Sequence, residues 1–424
     1  MPESAASSLT RHPSFMLFWC ARTFTNGAYM MQGVAVGWQI YELTNDPFDL
    51  GLVGLAQFVP LVGFSIIIGQ VADWFDRRLV VAICQVSKAL AALALAIGTA
   101  RGALSRDAML AILFASGTAR AFEMPTIHAL LPGIVPAMLL PRAIAASASA
   151  QQTAVICGPS LGGLLYMLSP TGVYATCAVV FIAASVLISL LHVAPRSEER
   201  KPVSLETLFA GFRYIRSRPI LLGAISLDLF AVLLGGVTAL LPIYARDILQ
   251  AGPWALGLLR SAPAVGALAT SIVLARRAIG GSAGRTMFAA VGMFGLASLA
   301  FGLSTSVVLS FVALVVYGAS DAISVVIRQS LVQMRTPYDM LGRVLAVNSM
   351  FTGSSGSLGE FRAGAVAAAL GAVPSALIGG LGTIAVMLIW MWAFPQLRRV
   401  DKLTPDADGY AVSVRQEPQK KSPA

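Results

Sequence analysis

The stretch GQVADWFDRRLVV, residues 69–81, contains two aspartates and two adjacent arginines. The chain around it has 424 residues, of which 57% are hydrophobic and only 12% are charged. Charged residues make up about 25% of an ordinary soluble domain. Long apolar runs lie on both sides of the stretch. The stretch is therefore predicted to be a short polar turn between two segments that lie in lipid.

Apolar runs long enough to cross a membrane recur along nearly the whole chain. A helix of about 20 residues crosses a hydrocarbon core about 30 Å thick. Twelve runs of this kind occur, at residues 15–42, 50–72, 79–100, 108–130, 142–168, 172–193, 219–245, 254–275, 286–304, 306–328, 342–369 and 374–395. The sequence therefore predicts an all-α membrane protein with twelve transmembrane helices.

The longest polar interruption divides the spans into six and six. It is expected to lie at the membrane surface, partly as an amphipathic helix. The predicted division is a cytoplasmic N-terminal tail, a six-helix bundle, a cytoplasmic linker, a second six-helix bundle and a cytoplasmic C-terminal tail. These are residues 1–14, 15–193, 194–218, 219–395 and 396–424.

Arginine and lysine residues are concentrated in alternate loops. Because cytoplasmic loops carry the positive excess, these loops and both termini are predicted to be cytoplasmic. The residues are Arg77, Arg78, Arg142, Arg196, Arg200, Lys201, Arg213, Arg216, Arg218, Arg276, Arg277, Arg285, Arg335, Arg343, Arg398, Arg399 and Lys402. The net charge of +10 then reflects topology, and no nucleic-acid partner is predicted.

Several other classes of protein are excluded by missing residues. The four cysteines and three histidines are scattered, so neither a metal nor a cofactor is predicted. No phosphate loop of the form G-x-x-x-x-G-K-[ST] and no Ser-His-Asp or Cys-His arrangement is found, so the chain is predicted not to be an enzyme. The polar first fourteen residues do not resemble a cleaved signal peptide.

An internal repeat relates the two halves. A shift of 201 residues places GIVPAMLLPRAIA over MRTPYDMLGRVLA, which aligns Pro136 with Pro337 and Arg142 with Arg343. The loop after the fourth span therefore corresponds to the loop after the tenth. Duplicated halves are common in secondary transporters.

Together these features resemble the major facilitator superfamily, whose loop between helices two and three reads roughly G-x-L-A-D-R-x-G-R-K/R. Gly69, Ala72, Asp73, Arg77 and Arg78 match that pattern, whereas the residues at 74 and 76 depart from it. The acidic residue before the arginines and the phrase LVQMRTPYDMLGRVLAV, residues 331–347, resemble the drug and siderophore exporter branch, which includes the enterobactin exporter and macrolide efflux proteins. The resemblance implies a bacterial inner-membrane protein.

The loop motif predicts a conformational latch, formed by Gly69, Asp73, Arg77, Arg78 and Arg343. An aspartate at the end of helix two can accept hydrogen bonds from a helix N-terminus, where unpaired N–H groups and the helix dipole favour an anion. The resemblance implies that this is the start of helix eleven, near Arg343, in the outward-facing state. The alternative is a positively charged cytoplasmic loop with an incidental acid.

The fifth span contains AVICGPSLGG, residues 154–163. In the superfamily a G-x-x-x-G-P-x-x-G-G segment on helix five resembles the mark of exporters that exchange substrate against protons. Gly158, Pro159, Gly162 and Gly163 match it, and Ala154 replaces the first glycine. The alternative is ordinary packing of small residues between membrane helices.

Ionisable residues inside the spans are costly and usually face a cavity or the bundle interior. Superfamily resemblance implies that helices one, four, seven and ten line a central cavity. The predicted substrate and proton pathway is Arg22, Asn26, Arg120, Glu123, Asp228 and Asp321, with Glu123 and Asp228 favoured as proton carriers. The alternative is static ion pairs, Arg22 with Glu123 or Arg120 with Asp321.

Three further charges are left open. Glu360 and Arg362 on helix eleven are interpreted as a packing pair, with a gating pair as the alternative. Lys88 lies either in a wet pocket or at the interface.

The predicted function is proton-coupled efflux of an amphipathic small molecule, a drug or a siderophore, by alternating access. Proton-coupled uptake and a membrane sensor that does not transport remain as alternatives. The expected partners are a small-molecule substrate, protons and the lipid bilayer, and the chain is expected to be monomeric. The sequence does not identify the substrate.

Overall fold

The computed structural model describes residues 9, 12–64, 67–68, 71, 74–192, 205–276 and 282–400, without the side chains of residues 137, 205–208, 338 and 339. Within these residues the structure is helical and contains no strand. Each predicted span overlaps a helix, and the helices are numbered accordingly. They are α1 (Pro13–Thr44), α2 (Pro47–Gly63), α3 (Arg77–Ala100), α4 (Arg106–Leu130), α5 (Leu140–Leu168), α6 (Pro170–Ser189), α7 (Pro219–Ile248), α8 (Gly252–Arg276), α9 (Ala283–Gly302), α10 (Val307–Met334), α11 (Tyr338–Leu370) and α12 (Ala372–Ala393). The second helix ends at Gly63, whereas its span was predicted to reach residue 72, and the seventh is interrupted at residues 236–237.

Seven of the described helices are long and apolar enough to cross a membrane by length and composition. These are α3, α6, α7, α8, α9, α10 and α12. The other five are α1, α2, α4, α5 and α11, and each of them carries polar residues that line the cavities described below. Among these five, α2 is itself apolar and falls short of the seven by its length of 17 residues.

Proline and short polar residues define several helix starts. Pro47 and Pro170 occupy the first turn of α2 and α6, where the missing N–H would have no intrahelical partner. The side chain of Asp76 accepts a hydrogen bond from the Arg78 N–H at 2.9 Å, and Ser105 caps α4 in the same way. Hydrogen bonds from the Arg78 side chain lower the pKa of the Asp76 carboxyl, so this cap stays ionised at neutral pH.

The twelve helices form two six-helix bundles. In the first bundle α1 packs against α5 and α6, and α3 packs against α4 and α6. In the second bundle α8 and α9 pack against α10, and α7 packs against α11 and α12. The main contacts between the bundles are α5 with α8 and α2 with α11.

Glycines allow the bundles to touch backbone to backbone at one end. A Cβ atom added at Gly364 of α11 would lie 2.6 Å from the Gly51 nitrogen of α2, and one added at Gly163 of α5 would lie 3.2 Å from the Gly257 Cα of α8. We call this end, which holds the turn between α1 and α2, the closed end. Small residues permit this close approach between membrane helices.

The opposite end, which holds residues 12 and 400, is called the terminal end, and here α2 and α11 separate. A Cβ atom at Gly353 of α11 would meet only the end of the Leu61 side chain, at 4.0 Å, and one at Gly356 would meet nothing within 4 Å. The two bundles therefore form a wedge that is closed at one end.

Side chains also join the bundles at the closed end. The Tyr41 hydroxyl of α1 donates a hydrogen bond to the carboxylate of Asp247 at the end of α7. The neighbouring Arg246 donates to the Tyr41 carbonyl at 3.2 Å. These contacts connect the first and seventh helices, which belong to different bundles.

A helix, Leu205–Ser217, lies within the predicted linker and packs against the start of α11. Gly211 contacts the Arg343 carbonyl, and the Tyr214 hydroxyl donates to the Arg335 carbonyl at 3.3 Å. The linker helix is thus attached to the second bundle. The predicted domain boundaries remain a prediction.

An alanine at Gly364 is expected to hold the closed end apart. Its Cβ would meet the Gly51 backbone at 2.6–2.8 Å, and overpacking of this kind costs about 1–3 kcal/mol. Gly342→Ala on the same helix is the matched control, because a Cβ there meets nothing within 4 Å. Spin labels at the closed ends of α2 and α11 should show a longer distance in Gly364→Ala only. Equal distances in both variants would contradict the proposed backbone contact.

Candidate functional site

A cavity of about 650 Å³ lies between the two bundles. We call it the central cavity. The lining residues come from α1, α2, α4, α8 and α11, and the polar ones are Tyr29, Gln32, Gln57, Ser116, Arg120, Arg260, Ser349, Ser357 and Glu360. Its size falls within the range of about 300–1,000 Å³ that is usual for small-molecule sites.

Three helices of the first bundle meet at Arg120. The guanidinium carbon of Arg120 lies 3.7 Å from the centre of the Tyr29 ring, in a cation–π contact. The Tyr29 hydroxyl in turn donates a hydrogen bond to the side-chain carbonyl of Gln57. Arg120 has no ion pair within 4 Å among the described residues. Its charge is therefore free to bind an acceptor in the cavity.

The second bundle contributes one cation and one carboxylate. Arg260 of α8 reaches across the interface and donates to the Gly33 carbonyl of α1 at 3.2 Å. Glu360 of α11 accepts a hydrogen bond from Thr238 at 3.2 Å and lines the cavity beside Gly54. The central cavity thus presents two arginines and one glutamate.

Glu360 and Arg362 do not form the packing pair that the sequence suggested. Arg362 donates to the Leu234 carbonyl at 2.6 Å, whereas Glu360 faces the cavity. The two side chains are separated because residues two apart point to different sides of a helix.

Glu123 pairs with Lys88 in the interior of the first bundle. Lys88 Nζ lies 2.5 Å from a Glu123 carboxylate oxygen, and the two residues are only 0% and 2% exposed. Gln85 also donates to Glu123, and its amide contacts Thr25 Oγ at 2.6 Å. The alternative pairing of Arg22 with Glu123 is therefore not the one found. Lys88 therefore lies neither in a wet pocket nor at the membrane interface, but in a buried ion pair.

Arg22 and Asn26 lie in the same bundle, toward the terminal end. Arg22 donates to the Gln151 side-chain carbonyl at 2.7 Å. Arg22, Asn26 and Glu123 line a small pocket, which we call the glutamate pocket, with Met124 and Gln151 among its other walls. Met124 also lines the central cavity. These two spaces therefore adjoin.

Asp228 of α7 forms a buried ion pair with Arg328 of α10. The nitrogen and oxygen atoms are 3.1 Å apart, and Arg328 also donates to the Asn348 side chain at 2.7 Å. Asp321 lies two turns before Arg328 on α10, and it lines a small space together with Asp228. No hydrogen bond or ion pair joins Asp321 to the described residues. The alternative pair of Arg120 with Asp321 is not found, since Arg120 lies on Tyr29.

The six predicted pathway residues therefore fall into three places. Arg120 lines the central cavity, three line the glutamate pocket, and Asp228 and Asp321 lie within the second bundle. No described residue that lines the central cavity belongs to α7 or α10. The described lining residues thus come from α1, α2, α4, α8 and α11, and not from the expected helices one, four, seven and ten. The polar faces of α7 and α10 instead pack on each other inside their bundle.

The exporter motif on α5 lies at helix contacts. A Cβ atom at Gly158 would meet the Met30 Cβ at 2.7 Å, and one at Gly162 would meet the Met31 carbonyl at 2.7 Å. Gly163 contacts α8, as described above, and Pro159 presents its carbonyl to Gly257. This geometry accounts for the small residues as packing, and their link to export stays a prediction.

Only part of the predicted latch can be placed. Gly69 and Asp73 lie outside the described residues. Arg77 donates to the Ala129 carbonyl at 3.3 Å, Arg78 donates to the Leu191 carbonyl at 2.8 Å, and Arg343 is exposed at the start of α11. The contacts of Arg77 and Arg78 lie within the first bundle. The latch remains a prediction.

Among the described residues, no group of three or more His, Cys, Asp and Glu side chains is placed to hold a metal ion. The geometry instead provides a two-bundle cavity with cationic and anionic walls.

The model of the transmembrane secretion effector family matches residues 4–415 of the chain. The chain belongs to this family. The family is a branch of the major facilitator superfamily, and its members are transporters. The enterobactin exporter EntS of Citrobacter koseri is 28% identical over 415 residues, which cover 95% of this chain and 97% of that relative. EntS of Escherichia coli is 27% identical over 411 residues, covering 94% and 96%.

Several solved structures share the fold of this chain. A bacterial homologue of the human lysosomal transporter Spinster, in an inward-facing and unoccupied conformation, has a TM-score of 0.72 at 13% identity and covers 91% of this chain and 98% of its own. A single-residue mutant of the nucleoside transporter NupG has a TM-score of 0.71 at 16% identity, with coverage of 90% and 100%. At these identities the likeness shows the fold alone.

Several site residues were missed from the sequence. Gln57, Gln151 and Arg260 are polar residues inside predicted membrane spans, and that position is the signal that could have found them. Their partners lie on other helices, and no spacing along one helix reveals them.

Proposed function

We propose that this transporter exports an amphipathic small molecule, a siderophore or a drug, in exchange for protons. The observation that carries the proposal is the central cavity, which lies between the bundles and is sealed at the closed end. Curated relatives named enterobactin exporters support export and a siderophore-like substrate. The protein acts as a monomer in the inner membrane, with both termini in the cytoplasm.

The cavity walls suit an organic molecule that carries acceptor groups. Arg120 and Arg260 provide cations, and the Tyr29 ring provides a flat apolar face on which Arg120 already lies. Phe58 and Met124 add apolar surface. Glu360 is the single carboxylate among the described lining residues. An anionic or acceptor-rich aromatic substrate fits this set better than a cation does.

The wedge supports transport by alternating access. With the terminal end cytoplasmic, this conformation loads substrate from the cytoplasm. Release on the other side requires the Gly51–Gly364 and Tyr41–Asp247 contacts to part and the terminal ends of α2 and α11 to meet. Asp73, bound to the start of α11 near Arg343, would latch the second state.

Proton coupling is assigned to the buried carboxylates Glu123 and Asp228 and the half-buried carboxylate Asp321. Two of them already have a cationic partner, Lys88 for Glu123 and Arg328 for Asp228. Asp321 has none among the described residues and lies beside another carboxylate. Asp321 is half-buried. A carboxylate that is partly removed from water and has no cationic partner is costly as an ion, so Asp321 is the strongest candidate for taking up a proton.

The proposal is tested in proteoliposomes that contain the purified protein and an imposed pH gradient. An inside-acidic gradient should drive accumulation of a tris-catechol siderophore or a macrolide, since an exporter of this kind exchanges substrate against protons. Accumulation only under an inside-alkaline gradient would contradict export and indicate uptake by symport.

Replacing Arg120 by alanine should reduce this transport about tenfold to a hundredfold. A hydrogen bond to a charged group contributes about 1.5–3 kcal/mol, and 1.4 kcal/mol corresponds to a factor of ten. Arg120 makes no ion pair within 4 Å among the described residues, so folding should be preserved. Arg101→Ala removes the same charge from an exposed position and should leave transport unchanged. Equal transport rates in both variants would show that Arg120 does not bind the substrate.

A further inference from the structure

A second cavity, of about 360 Å³, lies in the first bundle near the terminal end, among α1, α4 and α5. We call it the side pocket. Its walls are Arg22, His128, Leu131, Pro132, Leu140, Ile144, Ser147, Ala148 and Gln151. Its volume is within the range of small-molecule sites, which begins at about 300 Å³.

The side pocket contains a buried cation without a counter-ion. Arg22 is only 6% exposed, and it donates a hydrogen bond to the neutral Gln151. Glu123, which shares the glutamate pocket with Arg22, is already bound by Lys88. No ion pair of Arg22 is found within 4 Å in the described part of the chain. A buried arginine in this position favours an anionic ligand, because charged groups are buried at low cost only when paired.

A buried hydroxyl in the same pocket also lacks a partner. Ser147 is 2% exposed, and its Oγ makes no hydrogen bond with the described residues. An unmade hydrogen bond of a buried group costs about 1–3 kcal/mol. Ser147 and Gln151 are four residues apart on α5 and so lie on one face. A ligand oxygen near Arg22 could therefore also accept from Ser147.

The remaining walls are apolar. Leu140 and Ile144 are again one turn apart on α5, and Ile144 is 54% exposed. A hydrocarbon or aromatic body that covers Ile144 would gain about 25 cal/mol for each Å² removed from water. The side pocket thus combines a cationic side chain with an apolar wall, which matches an organic acid.

The side pocket adjoins the transport route. Arg22 and Gln151 belong both to the side pocket and to the glutamate pocket, and Met124 belongs both to the glutamate pocket and to the central cavity. The three spaces therefore form a series from the terminal end to the centre of the protein.

We propose that the side pocket is a loading site for organic anions, in which Arg22, Ser147 and Gln151 bind the acidic group and Leu140 and Ile144 contact the apolar body. The role in loading rests on the proposed transport function. The anion site itself does not depend on it.

The test measures binding of 4-phenylbutyrate to the purified full-length protein by titration calorimetry, with 4-phenyl-1-butanol as its neutral analogue. The acid should bind at least tenfold more tightly than the alcohol. Arg22→Gln and Ser147→Val should each weaken binding of the acid about tenfold or more. Ser149→Ala is the matched control, since Ser149 is exposed on the same helix. Ser147→Val removes an unpartnered hydroxyl and is expected to fold, which thermal unfolding verifies.

Two results would overturn the site. One is equal affinity for the acid and the alcohol. The other is loss of acid binding in Arg120→Ala together with unchanged binding in Ser147→Val, because the acid would then occupy the central cavity. Acid binding that depends on Arg22 and Ser147 in a protein without gradient-driven transport would support the pocket and contradict the proposed function.

Discussion

Replacing Lys88 by methionine should greatly lower the yield of folded protein and its unfolding temperature. Lys88 and Glu123 are both almost fully buried, and their charged atoms are 2.5 Å apart. Removing one partner of a buried ion pair leaves an uncompensated charge and costs about 3–5 kcal/mol. That amount is a large part of the free energy of unfolding of a typical domain, about 5–15 kcal/mol. Monodispersity and thermal unfolding after detergent extraction provide the measurement.

The double variant Lys88→Met with Glu123→Gln separates this charge effect from packing. Both charges are then absent, and a glutamine at 123 can still accept the hydrogen bond from Gln85. Most of the lost stability should therefore return. Ser87→Ala, at an exposed position on the same helix, should behave like the unaltered protein. A double variant as unstable as Lys88→Met would show that the pair acts through shape rather than charge.

Replacing Asp321 by asparagine should abolish the dependence of transport on the pH gradient while the protein still folds. The substitution breaks no ion pair, because none joins Asp321 to the described residues. Among the described residues that line the small space beside Asp228, Asp321 is the one carboxylate without an ion pair. The substitution removes this carboxylate, which can take up a proton without first releasing an arginine. Substrate should then move only down its own concentration gradient. Counterflow in proteoliposomes without a pH gradient measures the remaining activity.

Asp228→Asn is the informative comparison, because it removes the partner of the buried Arg328. We expect that variant to lose stability as well as coupling. If Asp321→Asn retains its pH dependence and Glu123 or Asp228 variants lose theirs, the proton carrier is one of the two residues that the sequence favoured.

The arrangement of helices could be predicted from the sequence because it depends on signals within single segments. The third span, predicted at 79–100, is the helix Arg77–Ala100, and the eleventh, predicted at 342–369, is Tyr338–Leu370. Run length and apolarity fix such elements locally. The 201-residue repeat likewise needs only comparison of the chain with itself.

The partners of the buried charges could not be predicted in this way. Lys88 and Glu123 are 35 positions apart on different helices, and their contact depends on how those helices rotate and shift against each other. Spacing along α4 predicts that Arg120 and Glu123 share one polar face. It does not reveal that one faces the cavity and the other faces α3.

The glycine contacts between α2 and α11 have a consequence for the speed of opening. Where interlocking side chains hold two helices together, each must change rotamer or be withdrawn before the surfaces can separate. At Gly51 and Gly364 two nearly smooth backbones touch, and mainly dispersion contacts are lost as they move apart. This backbone contact can part and reform without a change of rotamer, so in the proposed alternating-access cycle the slower steps at this end are the separation of the Phe48 and Phe361 rings and of the Tyr41–Asp247 hydrogen bond.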